Sequence, residues 1–117
     1  MFTYEAAPVF TLMEGVVLSR MRTLVGWEDG DGIFAPGGAI SNLYGVLMAR
    51  QRFLPEAKHN GMQGLPVLTV FTSDHSHFSI KRAASLLGLG TNNVVYVSCH
   101  SNGKMDVEDL RAKVERS

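Results

Sequence analysis

Two short apolar runs with a helical pattern between them place the strongest constraint on how this chain can fold. The runs cover residues 66–72 and 94–98, and each is too short for a helix and alternates too little for a half-exposed strand. Between them, apolar residues recur at helical spacing through residues 78–90, and another helix start follows at Asp106. The order strand, helix, strand, helix predicts two parallel strands buried in a sheet, and therefore an α/β fold.

The rest of the chain adds helices rather than strands. Apolar residues at three- and four-residue steps predict a helix over Pro8–Val25, and a second helix is predicted from Ser41 to about Phe53. A polar connection follows over residues 56–64. Because a parallel sheet of two strands is not expected to stand alone, we expect residues 1–117 to be part of one larger α/β domain, with no separate second domain.

Composition excludes several classes of function. Hydrophobic residues make up 45% of the chain, and eleven basic residues balance eleven acidic ones without a basic cluster, so no nucleic-acid partner is expected. No apolar run approaches the roughly 20 residues of a membrane span, and residues 1–10 lack the order of a secretory signal. The single cysteine, Cys99, and the lack of an Asn-x-Ser/Thr sequon favour a reducing, cytoplasmic location, with Cys99 as a buried packing residue.

Two motifs in the glycine-rich region between the first two helices resemble ligand loops only by chance. Residues 30–35, GDGIFA, satisfy the dinucleotide pattern GxGxxA, but they follow a helix rather than a strand. Asp29 and Asp31 begin like a calcium loop, yet Ile40 stands where that loop needs a carboxylate. We therefore interpret this segment as a surface turn.

The stretch PGGAISN, residues 36–42, allows two interpretations. Glycines without Cβ atoms and the free amides of a helix start form a cup for an anion, with Ser41 or Asn42 adding a polar side chain. No Lys-Ser/Thr pair follows, so a nucleotide cradle is not implied. The alternative is a glycine-containing turn before a helix capped by Ser41 or Asn42. The residues alone leave both possibilities open.

The stretch SDHSH, residues 73–77, follows the first predicted strand. Polar residues at the carboxyl end of a parallel strand have a raised chance of binding a ligand. His75 and His77 could suggest a metal, but no third ligand is evident, so we expect none. A histidine could instead pack on an aromatic cofactor, and the simplest account is that one of these residues caps the following helix.

Several segments together resemble the group II pyridoxal-phosphate decarboxylases that act on acidic amino acids. They are FTYEAAPVFTLMEGVVLSRM, VGW, DGDGIFAPGGAISNLYGVLMAR, LTVFTSDHSHFSIKRAASLLGLGTNNV and GKM, in that order over nearly the whole chain. The resemblance implies part of the large domain of a fold-type-I enzyme, a mostly parallel sheet flanked by helices. It also implies a homodimer and an acidic substrate: glutamate, cysteine sulfinate or aspartate. GGAISN looks more like the glutamate decarboxylase version.

The same resemblance implies roles for three residues. Gly38 and Ala39 match the positions whose backbone amides hold the phosphate of pyridoxal 5'-phosphate. His77 matches a histidine that stacks on the pyridine ring and can orient substrate or shuttle a proton. His75 has no such counterpart, and the helix over Pro8–Val25 matches a segment near the dimer interface.

Departures from the family pattern limit what this chain can do alone. The Schiff-base lysine of an Asn-Pro-His-Lys segment and the aspartate of an Asp-Ala-Ala-Trp segment are both missing, and Phe78 stands where tyrosine is common. We therefore expect the isolated chain to be catalytically inactive. The alternative is a non-catalytic truncated relative that pairs with full-length decarboxylase subunits through the helix over Pro8–Val25.

Overall fold

The structure is a computed structural model and describes residues 3–117. The first two residues of the segment 1–10, in which no secretory signal was predicted, therefore lie outside the described residues. These residues form two compact units, one ending at Pro36 and the other covering Gly37–Ser117. The helices are α1 (Pro8–Val25), α2 (Gly38–Phe53), α3 (Ala57–Asn60), α4 (Ser79–Leu86) and α5 (Val107–Glu115), and the strands are β1 (Val70–Ser73) and β2 (Val94–Val97), the latter preceded by a 3₁₀ turn at Thr91–Asn93.

The first unit consists of α1 and the segment that follows it. Helix α1 has the predicted bounds because Pro8 suits its first turn and Gly26 ends it in the left-handed conformation, with φ of 86°. The glycine-rich segment is tied back to the helix, since the Phe34 amide donates to Glu14 and Arg22 donates to the Gly30 carbonyl. This segment is an exposed surface turn, as expected.

The second unit is built on the two strands. β1 and β2 pair in parallel, with Val70 opposite Val94 and Ser73 opposite Val97, which confirms the predicted pairing. Helices α2 and α4 pack against each other. The core cluster is centred on Ala84, Leu89 and Val94, with half-buried residues around it: Val46, Met62, Leu68, Val70 and Leu87.

Helix α5 is fixed to the end of β2 by polar contacts. Asp106 caps the helix as predicted, because its Oδ1 accepts from the amides of Glu108 and Asp109 at 2.9 and 3.2 Å. The Asp109 carboxylate accepts from the Ser98 amide at 2.8 Å, and Lys113 donates to the Tyr96 carbonyl at 2.8 Å. The helix is thereby held against the strand at two points.

Two predicted boundaries are wrong, and one short helix was not predicted. Helix α2 begins at Gly38 rather than Ser41, because the backbone of Gly37 already turns the chain into the helix. The first strand begins only at Val70, four residues after Pro66, which has no N–H for a ladder. A short helix, Ala57–Asn60, interrupts the predicted polar connection.

Two predictions of burial also fail within this chain. Tyr96 in β2 is 40% exposed, because these residues supply only two strands and no layer covers that side chain. Cys99 is half-buried rather than buried, because it follows the end of β2 and forms an isolated bridge with Met105. Among residues 3–117, no helix has the length and apolar character to cross a membrane.

Candidate functional site

The first turn of α2 presents free backbone donors. Gly37 adopts φ of 95° and ψ of 164° before the helix, and the first helical bond runs from the Ser41 amide to the Gly37 carbonyl at 3.2 Å. The preceding amides, those of Gly38, Ala39 and Ile40, have no partner within the helix, and no described side chain caps this end. A Cβ at Gly37 or Gly38 would meet no atom within 4 Å, so this turn is open to an incoming group. Its positive helix end favours an anion.

Neither of the two residues predicted to cap α2 does so. The Ser41 hydroxyl donates backward to the Gly37 carbonyl at 3.3 Å. Asn42 reaches away from the helix end and donates from Nδ2 to the Ser79 hydroxyl at 2.8 Å. The capped-helix alternative is therefore wrong, and the amides of the first turn stay available.

His77 lies in the connection between β1 and α4. Its Nδ1 is 2.9 Å from Ser79 Oγ and accepts from the Ser79 amide at 3.2 Å, so the imidazole satisfies a first-turn amide of α4. The ring of Phe78 lies 4.1 Å from the His77 ring, tilted by 36°, and the Arg82 guanidinium lies 4.7 Å from the centre of the Phe78 ring. His77 itself remains exposed.

A hydrogen-bonded chain links α2 to His77 in the connection before α4. It runs from Asn42 in α2 through Ser79 to the imidazole of His77. Ser79 is only 2% exposed, whereas His77 and, in the first turn of α2, Ala39 are exposed to solvent. Gly38, Ala39 and His77 were predicted from the family resemblance. Asn42 was considered only as a polar addition to the anion cup or as a cap of α2, and Ser79 was not predicted as a site residue. Their pairing spans 37 positions, so no local pattern reports it.

The connections that follow the two strands also form a polar cluster. The donor atoms of Asp74, His75 and Cys99 lie within 4.8 Å of one another. The Cys99 thiol donates to Asp74 and, opposed by partial desolvation and helped by nearby His75, holds the pKa of that carboxyl below its usual range. The two histidines, for which no metal was expected, have different partners: His75 lies beside Asp74 and Cys99, whereas His77 contacts Ser79. This grouping was missed, although both segments follow adjacent parallel strands whose carboxyl ends meet at one edge.

Comparison with known proteins extends over the full chain. Residues 1–117 match a family model described as the pyridoxal-dependent decarboxylase conserved domain. Mouse CSAD, cysteine sulfinic acid decarboxylase, is 48% identical, with a TM-score of 0.91 over 97% of this chain and 24% of that chain. The apo form of mouse CSAD gives the same identity and coverages with a TM-score of 0.90.

A more distant structure gives the same fold. It is the glutamate decarboxylase domain of diaminobutyrate-pyruvate transaminase and L-2,4-diaminobutyrate decarboxylase from Vibrio parahaemolyticus, 30% identical with a TM-score of 0.84 over 99% of this chain and 27% of that chain. The expected fold class is confirmed. This chain spans about a quarter of the length of the structures it matches.

Proposed function

The chain belongs to the pyridoxal-dependent decarboxylase family, and we propose that the protein it represents releases carbon dioxide from an acidic amino acid. The candidate substrates are glutamate, cysteine sulfinate and aspartate. The supporting observation is the hydrogen-bonded chain that connects Asn42, the fifth residue of α2, to His77. The resemblance to mouse CSAD and to a glutamate decarboxylase domain supports the acidic substrate class.

The residues of this chain fit the cofactor on which the family depends, pyridoxal 5'-phosphate. Amides of Gly38 and Ala39 at a positive helix end suit a phosphate, and no Cβ at position 38 obstructs it. When bound, the cofactor supplies an electron sink for the pair left behind when carbon dioxide departs. Gly38 and Ala39 would hold its phosphate, and His77 would face its ring.

In this arrangement His77 would orient a ligand, whereas Gly38 and Ala39 would hold the cofactor phosphate. Its Nδ1 is engaged by Ser79, and its exposed edge leaves Nε2 for a ligand. The imidazole can therefore hold a proton or donate it at one defined atom. The ring of Phe78 lies beside the imidazole in a tilted arrangement.

We further propose the assembly and location of the whole protein. The family resemblance supports a homodimer. A composition with one cysteine and no Asn-x-Ser/Thr sequon supports a cytoplasmic location. Residues 1–117 would then form the amino-terminal part of one large domain, and the lysine and aspartate of the family would lie elsewhere in the protein.

The cofactor assignment is tested by Ala39→Asp in a full-length chimera, in which these 117 residues replace the matching region of mouse CSAD. A carboxylate in the first turn favours the helix itself but repels a bound phosphate, so affinity should fall while folding persists. Ala39→Asn is the matched control because it has the same size without the charge. We expect cofactor affinity, measured by absorbance titration, to fall at least tenfold for Ala39→Asp only. Equal affinity in the two variants would contradict the assignment.

A second candidate function rests on α1. No residue of this helix is buried within the described chain, and large apolar side chains are exposed along it, with Val16 at 70%. The chain could therefore pair with full-length decarboxylase subunits and modulate them without catalysis. Co-purification with a full-length subunit, abolished by Val16→Glu but not by Ser19→Glu on the same helix, would favour this function. Failure to co-purify would remove it.

A further inference from the structure

A buried hydroxyl connects α2 to the imidazole of His77. We propose that Asn42 and Ser79 fix which tautomer the neutral imidazole of His77 adopts, with its proton on Nε2, so that His77 acts as a hydrogen-bond donor at that atom. This inference deepens the proposed function and rests on it for its role in catalysis. Asn42 and Ser79 are then positioning residues, since neither would touch the cofactor ring.

The direction of the hydrogen bonds determines the tautomer. The backbone N–H of Ser79 can only donate, and it points to His77 Nδ1 at 3.2 Å. An Nδ1 that accepts a hydrogen bond carries a lone pair, so the proton of a neutral imidazole must lie on Nε2.

The hydrogen bond from Asn42 is compatible with the same tautomer. Its Nδ2 donates to Ser79 Oγ at 2.8 Å, which satisfies a lone pair of the hydroxyl and leaves the hydroxyl proton free. The His77 Nδ1 atom, 2.9 Å away, is the acceptor within reach of that proton. Two donors therefore converge on Nδ1, and the reverse tautomer would set a ring N–H against the Ser79 amide.

Burial makes this arrangement costly to change. Ser79 is 2% exposed and Asn42 is half-buried, so water is poorly placed to replace a lost partner. A buried hydroxyl left without a partner destabilises the folded protein. The arrangement thus holds the ring in one orientation and ties that orientation to the helix whose first turn offers amides to the phosphate.

The consequence for the reaction concerns proton transfer. With Nδ1 occupied and Nε2 protonated, His77 has no free lone pair in its resting state. It can donate a hydrogen bond or a proton from Nε2, but it cannot begin by accepting one. The family resemblance suggests two roles for His77, orienting the substrate and shuttling a proton. The tautomer favours the first role, in which Nε2 donates a hydrogen bond to the ligand, over a shuttle that begins by taking up a proton.

The tautomer can be measured without any activity. We would label histidines with ¹⁵N in the cofactor-free full-length chimera and assign His77 by loss of its signals in His77→Gln. The expected spectrum shows an unprotonated Nδ1 and a protonated Nε2. In Ser79→Ala the Nδ1 signal should shift, because the hydroxyl donor is lost while the amide of residue 79 remains, whereas Ser85→Ala, at an exposed serine in the same helix, should leave the signals unchanged.

Asn42 and the cofactor provide the remaining readouts. Asn42→Asp replaces a donor by an acceptor, so the Ser79 hydroxyl should turn to the carboxylate and weaken the bond to Nδ1; Asn42→Leu should cause a smaller change. Cofactor dissociation constants should rise about three- to tenfold in Ser79→Ala. A protonated Nδ1 in the parent would overturn the tautomer assignment, and spectra unaffected by Ser79→Ala would overturn the positioning role of the Ser79 hydroxyl. Equal cofactor affinity in Ala39→Asp and Ala39→Asn would instead overturn the proposed function.

Discussion

At the scale of single residues, Asp109 shows how one carboxylate joins a helix to a strand. It accepts from Lys113 Nζ at 2.6 Å and from the Ser98 amide at 2.8 Å. The hydrogen bond from Lys113, and then that from Ser98, lower the pKa of Asp109 from its ordinary value of 3.8 to about 2. Because the folded pKa lies below the unfolded one, this group stabilises the fold above about pH 4, and the contribution disappears as pH falls through about 2.

Asp109→Asn should therefore change stability in a pH-dependent way. We expect the urea midpoint of the full-length chimera to fall at pH 6, because the amide loses the charge that binds Lys113. The difference from the parent should shrink progressively between about pH 4 and pH 2, where the parent carboxylate becomes protonated. Glu115→Gln removes a charge from an exposed position in the same helix and serves as the control. A difference that stays constant down to pH 2 would contradict the lowered pKa.

Helix caps were predictable where their signal is local. The cap at Asp106 follows from its position before an acidic helix start, and the structure shows it. Asn42 has the same capping chemistry but is used otherwise, because the hydroxyl of Ser79 in α4 lies within reach. Local patterns report what a side chain can do, whereas its partner depends on how α2 and α4 pack. The roles of Gly38, Ala39 and His77 remain predictions.

At the scale of elements, Gly37 controls where α2 begins. Its φ of 95° and ψ of 164° lie in a region that only glycine occupies readily. Gly37→Ala should therefore destabilise the full-length chimera by about 1–3 kcal/mol and move the first-turn amides, so that cofactor affinity also falls. Urea unfolding and absorbance titration measure the two effects.

A second glycine in the same helix offers a matched control. Gly45 lies in the interior of α2, and a Cβ added there would meet no atom within 4 Å of the described chain. Gly45→Ala should stabilise the helix by up to about 1 kcal/mol and leave cofactor affinity unchanged. If both alanine variants behaved alike, the special conformation of Gly37 would have no role in the site.

Some bounds of helices and strands are set by nearby residues in the sequence, and others are set by a distant partner. Helix α1 matched its predicted range because Pro8 and Gly26 act through their own backbones. Strand β1 is shorter than its apolar run because the length of a ladder is set by the partner, here four residues of β2. Parallel pairing was predictable from the order of elements, since a helix between two strands leaves them pointing the same way.

At the scale of the whole molecule, much apolar surface lacks a covering layer. A groove of ≈ 600 Å³ is lined by residues of α2, β1, α5 and the segment before β1, including Phe53, Val67 and Val114. Val67 is 75% exposed and Phe53 74%. A chain that spans about a quarter of its structural relatives is expected to show such a surface where the rest of a larger sheet would pack.

The isolated 117-residue chain should therefore neither unfold cooperatively nor release carbon dioxide from glutamate or cysteine sulfinate. Its surface should bind the dye ANS strongly, whereas the full-length chimera should bind it weakly and unfold in one sharp transition. Val67→Asp distinguishes the isolated chain from the chimera. A charge in a covered groove costs several kcal/mol, whereas the same charge in open solvent costs little. The variant should lower the melting temperature of the chimera and leave ANS binding by the isolated chain nearly unchanged. Ser101→Asp, in an exposed loop, should affect neither protein. Carbon dioxide release by the isolated chain, or a chimera indifferent to Val67→Asp, would show that this segment completes its own core.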